Sequence, residues 1–172
     1  TFIGSYRGVR SNTNQDSDFT SADLIGRNSA DTAIDTYTAE ARIASNYDGP
    51  FNFLLGAYYF HENIDFSPTL TFGRDFKNYA NLLSGGAYSA LEPTLRALLP
   101  GTPPGTFGAA GQGVFENYDY KNRAISIFGQ ADYEIFEGLT FTAGFNYTRD
   151  RKDVVSDVRS TDVFSGLDLV QA

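Results

Sequence analysis

Few side chains in this sequence have the types and spacing that chemistry needs. The chain contains one histidine, His61, and no cysteine, so it offers neither a cluster of imidazole or thiolate metal ligands nor the parts of a cysteine or serine nucleophile site. His61 follows an aromatic run at the predicted outer end of a strand, and we interpret it as a solvated rim residue rather than a ligand contact. We therefore predict no catalytic residue, no metal or other cofactor, and no enzyme activity.

A second group of side chains alternates in the manner of a calcium-binding loop: Asn12, Asn14, Asp16 and Asp18. Such a loop needs glycine at a central position and a closing glutamate. This sequence has Ser17 or Phe19 at the glycine position and no glutamate to close the site. The pattern therefore favours a solvated acidic loop.

Polar pairs on two predicted strands are a third group. Glu40 and Arg42 share one parity, as do Gln130 and Asp132. Because polar residues normally line the interior of a membrane barrel, we interpret these four as structural residues that face a lumen.

Aromatic residues are frequent between Ser67 and Asp119. They could form a ligand-capturing surface, because aromatic side chains give a large contact area at low entropic cost. They could equally be the small core of a long loop. The sequence leaves both interpretations open, and the ligand-binding residues stay undetermined. The residues are Phe72, Phe76, Tyr79, Tyr88, Phe107, Phe115 and Tyr118.

Composition excludes two classes of protein. The 172 residues carry a formal net charge of -8, which argues against nucleic acid as a partner, since phosphate binding needs clustered Lys and Arg. No apolar run approaches the roughly 20 residues of a membrane-spanning helix. An aromatic fraction of 15% within a hydrophobic fraction of only 41% suits strands with one apolar face.

Alternation of apolar and polar residues predicts five strands. The clearest alternation runs from Leu139 to Asp150, with Leu, Phe, Ala, Phe and Tyr at the odd positions. Short turns at 46–50 and 136–138 join four of the strands into two hairpins. The five segments are Phe2–Arg10, Thr36–Ile43, Asn52–Phe66, Ile125–Ile135 and Leu139–Asp150.

The remaining connections are predicted to be long loops: the polar run up to Ala33, the segment 67–119, and the chain after Lys152. Within 67–119, Ser89 and Glu92 have the spacing of a capping box, and four leucines lie on one helical face. We predict a short loop helix from Ser89 to Leu99, with Pro93 near its first turn.

Short turns therefore alternate with long loops, as in outer-membrane barrels, where the turns are periplasmic and the loops extracellular. We predict an all-β fold, an antiparallel up-and-down segment of about five strands from an incomplete transmembrane β-barrel. The localisation is then the bacterial cell outer membrane. The predicted lipid-facing residues share the odd parity of their strands: Tyr37, Ala39, Ala41, Ile43, Ile125, Ile127, Ala131, Phe141, Ala143 and Phe145.

Two segments carry information beyond the alternation of apolar and polar residues. The runs ARIASNYDGPFNFLLGAYYF at 41–60 and ISIFGQADYEIFEGLTFTAGFNYTRD at 125–150 resemble barrel hairpins of TonB-dependent outer-membrane receptors. With Phe2–Arg10 and residues 18–20, the resemblance spans most of the chain, and the 67–119 segment is similar in character only. Asn146 departs from the family, which often has a basic residue at this lumen position.

The resemblance implies a barrel of about 22 strands with a plugged lumen. Residues 1–172 would then be part of the barrel domain, and the plug and the TonB-contacting region would precede Thr1. The implied function is active uptake of a scarce ligand, above all a ferric siderophore, with cobalamin or saccharides as further possibilities. The implied partners are outer-membrane lipid, TonB and that small ligand.

The chain begins in a strand at Thr1, and residues 169–172 lack a turn or cap signature. We therefore expect an internal fragment of a larger protein.

Two rival functions remain open from the sequence. A barrel without a plug would be a passive porin. A chain with no membrane role would be a soluble all-β binding or adhesion module.

Overall fold

The computed structural model describes residues 1–166, apart from the side chain of Phe164. Five strands form one antiparallel up-and-down sheet whose spatial order follows the sequence, with β1 and β5 at its edges. This confirms the predicted strand count and connectivity. The predicted chain end at 169–172 lies outside the described residues. The strands are β1 (Phe2–Asn14), β2 (Ile25–Ala44), β3 (Phe51–Phe72), β4 (Gly113–Phe136) and β5 (Leu139–Ser160).

Both predicted hairpins are confirmed. The turn between β2 and β3 is closed by Asn52, whose Oδ1 accepts the Tyr47 backbone N–H at 2.8 Å and the Ser45 hydroxyl at 2.9 Å. The turn between β4 and β5 comprises Glu137 and Gly138. Gly138 has φ 87°, a left-handed conformation that glycine adopts at little cost.

The predicted long loops were partly wrong, because the strands extend into them. β1 and β2 stay paired through a polar segment, where the Asn12 side chain donates to Asp31. β3 and β4 likewise extend into 67–119, and Ser67 Oγ donates to Asn117 Oδ1 at 2.9 Å. β5 continues past Lys152 to Ser160. Alternation cannot reveal a strand that is polar on both faces, although cross-strand side-chain bonds stabilise it.

The connection from residue 73 to residue 112 contains two helices, α1 (Phe76–Leu83) and α2 (Ala87–Leu98). The predicted loop helix is therefore confirmed as α2, while α1 was missed. The predicted capping box is wrong: α2 begins after Gly86, whose φ is 92°, and the Ser89 backbone N–H donates to Asn81 Oδ1 at 3.1 Å. Glu92 instead accepts hydrogen bonds from Lys77 and from the Gly105 backbone. Pro93 consequently lies inside the helix rather than in its first turn.

No helix in the described part of the chain is long and apolar enough to span a membrane. The chain divides into two compact units. The strand unit comprises Thr1–Arg10, Ala33–Asp65 and Asp119–Val155; the loop unit comprises Ser11–Thr32, Phe66–Tyr118 and Ser156–Ala172, described through residue 166. Phe107, in the loop unit, is the one large side chain that is fully buried among the described residues.

Candidate functional site

One face of the strand unit is apolar across all five strands. The ring of Tyr6 on β1 lies 4.9 Å from that of Tyr37 on β2, which stacks at 6.2 Å on His61 of β3. Leu55 of β3 and Phe145 of β5 both lie against Gly129 of β4. This apolar face consists of the even-numbered residues of β1 and the odd-numbered residues of β2 to β5. The predicted common facing of the odd residues on β2, β4 and β5 is confirmed.

The apolar face has a sharp polar boundary on successive strands. On β5 the odd positions are apolar from Leu139 to Tyr147, and Arg149 follows. On β4 they are apolar from Ile125 to Ile135, and Arg123 precedes them. On β2 the boundary residue is Asp35. On β4 and β5 the apolar positions span 11 and 9 residues, about the length of a membrane-crossing strand of roughly 9 to 11 residues.

Many large side chains of this band are more than half exposed. A folded domain normally buries such residues against a second layer, and contiguous exposed apolar patches usually mark an interaction surface. The band therefore has the composition of a contact surface for an apolar environment. Members that are more than half exposed include Ile43 (68%), Phe141 (61%), Phe145 (57%), Ile125 (55%) and Ile127 (51%).

The opposite face of the strand unit, the polar face, is held by short side-chain bonds between neighbouring strands. Thr142 Oγ1 donates to Asp132 Oδ1 at 2.7 Å, and Asp132 also accepts from Gln130 Nε2 at 3.1 Å. Arg42 forms an ion pair with Glu40 on the same face. All four polar residues singled out in the sequence thus lie on one face and bind partners within the strand unit. Further bonds join Ser5 to Thr38 at 2.7 Å and Ser126 to Thr148 at 2.8 Å.

His61 differs from its predicted setting. β3 continues from His61 to Phe72, so the histidine lies within the strand rather than at its end. Its ring is half-buried beside Tyr37, and its Nδ1 has no hydrogen-bond partner within residues 1–166. The sequence could not show this, because the following strand residues have no clear alternation.

At the boundary of the apolar face, one carboxylate links β1 to β2. Asp35 accepts the Tyr6 hydroxyl at 2.6 Å and forms an ion pair with Arg10 at 2.7 Å. Charge-assisted hydrogen bonds of this length are among the stronger polar interactions in proteins. They fix the register of the edge strand β1.

Several aromatic residues of the loop unit pack together around Phe107 or Phe76. Phe72 and Phe76 stack with ring centroids 4.2 Å apart, and Phe107 is only 1% exposed. Gly108, with φ 64°, lies between the Phe76 ring and the Tyr88 hydroxyl. For these residues the structure supports the loop-core interpretation. Tyr79, by contrast, is 44% exposed on α1.

The segment between β1 and β2 is organised by Asp18. Its carboxylate accepts the backbone N–H groups of Ile25 at 3.1 Å, Leu24 at 2.9 Å and Thr20 at 3.0 Å. These bonds, led by that from Ile25, hold the pKa of Asp18 below its usual range. Asp18 thus closes the loop itself, and the four alternating residues do not converge on an ion: Asn12 donates to Asp31 on the neighbouring strand.

Phe19, next to Asp18, was not recognised from sequence. Its φ is 55°, a left-handed conformation that is rare for a bulky residue, and its side chain is 90% exposed. Its sequence neighbours Asp18 and Thr20 line a polar groove of about 340 Å³, whereas Phe19 itself is not among the lining residues. No sequence motif predicts the left-handed conformation of Phe19, because it belongs to a loop that is closed by the contacts of Asp18.

Within residues 1–166, no three or more His, Asp and Glu side chains are grouped to hold a metal ion. Neither a protein-family model nor a curated protein sequence matches the chain.

Proposed function

We propose that this chain is part of the barrel of a TonB-dependent outer-membrane receptor. The receptor takes up a scarce ligand, with a ferric siderophore as the first choice, and TonB supplies the energy through a region outside this chain. Outer-membrane lipid surrounds the apolar face, and the polar face lines the lumen.

The observation that carries the proposal is the bounded apolar face. A lipid-facing surface needs apolar side chains at alternate positions over about 9 to 11 residues, with polar residues beyond. On β4 and β5 the apolar positions end at Arg123 and Arg149. Tyr6, Tyr37 and Tyr147 lie near that boundary, as the aromatic girdles of membrane barrels do.

The same face argues against a soluble binding module. Such a module would need to cover Ile43, Phe141 and Phe145, which are 57% to 68% exposed, because burial of each side chain is worth roughly 1.5 to 3 kcal/mol. A bilayer covers them without a second protein layer.

The lengths of the connections support a sidedness. The turns at 45–50 and 137–138 are short, whereas the connections 15–24 and 73–112 are longer. Only loops outside the bilayer can grow without being constrained by the membrane. We therefore assign the short turns to the periplasm and the long connections to the cell surface.

Epitope tags in the full-length protein test this topology. Gly49 and Gly111 both lie in open space and accept an insertion in comparable surroundings. A tag at Gly111 should be labelled on intact cells, and a tag at Gly49 only after the outer membrane is permeabilised. The reverse pattern would refute the sidedness.

Energy dependence separates the receptor from a passive porin. Cells expressing the full-length protein should accumulate a ferric siderophore only while TonB is present and the inner membrane is energised. Uptake that continues at the same rate without TonB would identify passive diffusion instead.

A further inference from the structure

The loop unit carries an acidic excess. Its described residues include nine Asp and Glu and five Lys and Arg, a formal charge of -4. The Ile25 backbone bond lowers the pKa of Asp18, and the Arg74 side chain lowers that of Asp23. An anionic ligand approaching this unit therefore meets repulsion.

The basic side chains of the loop unit are already engaged. Each of the five has a partner inside the unit, so none stands ready as a free cation among the described residues. Anion recognition needs several converging cationic donors, and the loop unit does not provide them. The contacts are Arg27 to Ser29 Oγ (2.7 Å), Arg74 to Asp23 (2.7 Å), Lys77 to Glu92 (3.0 Å), Arg96 to the Thr102 carbonyl (2.9 Å) and Arg159 over the Phe115 ring (5.4 Å).

Besides its charged groups, the loop unit exposes large uncharged side chains. On the helix pair, Lys77 and Glu92 are turned towards each other, while the exposed large side chains are apolar. Phe19 adds a ring that is 90% exposed. Such side chains make large contacts with carbon-rich, uncharged ligand surfaces. The exposed members of the helix pair are Tyr79 (44%), Leu82 (78%), Leu83 (69%), Leu91 (55%) and Leu98 (49%).

The groove lined by residues 14–27 supplies polar groups that can form hydrogen bonds with an uncharged ligand. Its lining offers amide, hydroxyl and carboxylate groups, as on Asn14, Ser21 and Asp16, and its single basic residue is Arg27. Carboxylates and amide oxygens accept hydrogen bonds from neutral N–H and O–H donors. A volume of about 340 Å³ suits one end of a small ligand rather than a macromolecule.

We propose that the loop unit captures an electrically uncharged, hydroxyl- or amide-bearing ligand at the 14–27 groove, with the Phe19 ring against its carbon surface. This inference rests on the proposed function: the loop unit would bind a neutral ferric tris-hydroxamate in preference to a strongly anionic ferric tris-catecholate. Selectivity here comes from the repulsion of the wrong charge as much as from contacts to the right ligand.

Equilibrium binding to the purified full-length protein tests this with three probes: a neutral ferric tris-hydroxamate, an anionic ferric tris-catecholate and a neutral oligosaccharide. The hydroxamate chelate should bind at least about tenfold more tightly than the catecholate chelate. Equal or tighter binding of the catecholate would overturn the inference and leave the receptor function standing. Binding of the oligosaccharide alone would support an uncharged ligand and overturn the iron part of the proposed function. If no probe bound, this inference would be overturned, and the TonB dependence of uptake would still test the proposed function separately.

Charge substitutions test whether the 14–27 groove is the origin of the selectivity against an anionic ligand. Asp16→Lys places a cation in the groove and should tighten catecholate binding roughly fivefold. Asp48→Lys makes the same change in the short turn between β2 and β3 and should leave all affinities unchanged. Phe19→Ala should weaken hydroxamate binding, and Phe19→Tyr should preserve it. Equal effects of the two lysine substitutions would place the selectivity outside the groove and overturn the assignment.

Discussion

The ring of Phe128 lies directly over Gly56, so close that a Cβ at position 56 would overlap the ring. Both residues belong to the polar face of the strand unit, on the neighbouring strands β3 and β4. The Arg42 guanidinium lies 5.9 Å from the centroid of the same ring, within the range of a cation–π contact. The glycine therefore creates the space in which the Phe128 ring lies flat against β3.

Gly56→Ala should destabilise the protein by about 1 to 3 kcal/mol, because the added methyl group overpacks the site and displaces the Phe128 ring from Arg42. Chemical unfolding of the full-length protein in detergent measures the change. In a Phe128→Ala background the same substitution should cost little. Gly49→Ala, with no atom within 4 Å of its Cβ, is the matched control. Equal costs in the two backgrounds would contradict the steric explanation.

Arginine substitutions on β5 distinguish its two faces. Phe141→Arg should destabilise the protein in a bilayer by about 2 to 4 kcal/mol, since the arginine side chain would enter lipid near the middle of the apolar band. Thr142→Arg points to the polar face beside Asp132 and should cost much less. Folding into vesicles at graded urea concentrations measures both. A larger cost at Thr142 than at Phe141 would reverse the assigned faces.

The strand unit was largely predictable from sequence because its two faces differ in polarity. Leu139 to Tyr147 alternate cleanly, and the structure confirms that strand, its parity and the hairpin before it. Alternation could not predict the extension of β1 and β2, because both faces of the paired strands are polar there. Asn12 and Asp31 form a side-chain hydrogen bond between them.

The loop unit was less predictable because its contacts are distant in sequence. Glu92 has capping-box spacing from Ser89, but the stronger partner, Lys77, lies on another helix. Asp18 similarly looked like one of four alternating ligands and instead binds backbone groups up to Ile25. Local spacing does not show which of several possible partners a carboxylate will meet.

Acid should loosen the 15–24 connection through Asp18. Its folded-state pKa is lowered by backbone N–H groups, that of Ile25 first. The carboxylate therefore contributes stability that is fully present above the ordinary aspartate pKa of about 4 and is lost as the pH falls through the lower folded value. Hydrogen exchange of the Leu24 and Ile25 amides should accelerate over that acidic range, relative to the amides of β4.

Asp18→Asn is the control for this pH effect. The amide keeps one acceptor oxygen but cannot ionise, so the exchange of the Leu24 and Ile25 amides should be faster at neutral pH and no longer respond specifically to acid. An unchanged acid response in Asp18→Asn would assign the loosening to another group. The Thr20 backbone N–H also donates to Asp18, so its exchange should follow the same pattern.

The Lys77–Glu92 ion pair should hold α1 to α2. Its side chains are only 28% and 15% exposed, so solvent screens the pair less than a surface pair. Glu92 also accepts the Gly105 backbone N–H. Glu92→Ala should therefore speed proteolysis of the 73–112 connection more than Lys77→Ala does, because it also leaves that backbone donor without its acceptor.

A double-mutant cycle of these two substitutions should give a coupling free energy of about 1 kcal/mol for opening of the connection. The control pair is Arg151 and Asp153, at 3.1 Å but 73% and 53% exposed, whose coupling should be close to zero because water competes for both groups. Protease susceptibility of the full-length protein, measured at increasing salt, reports both cycles. If Lys77→Ala equals Glu92→Ala in effect and the coupling vanishes, the ion pair contributes nothing to the packing of α1 against α2.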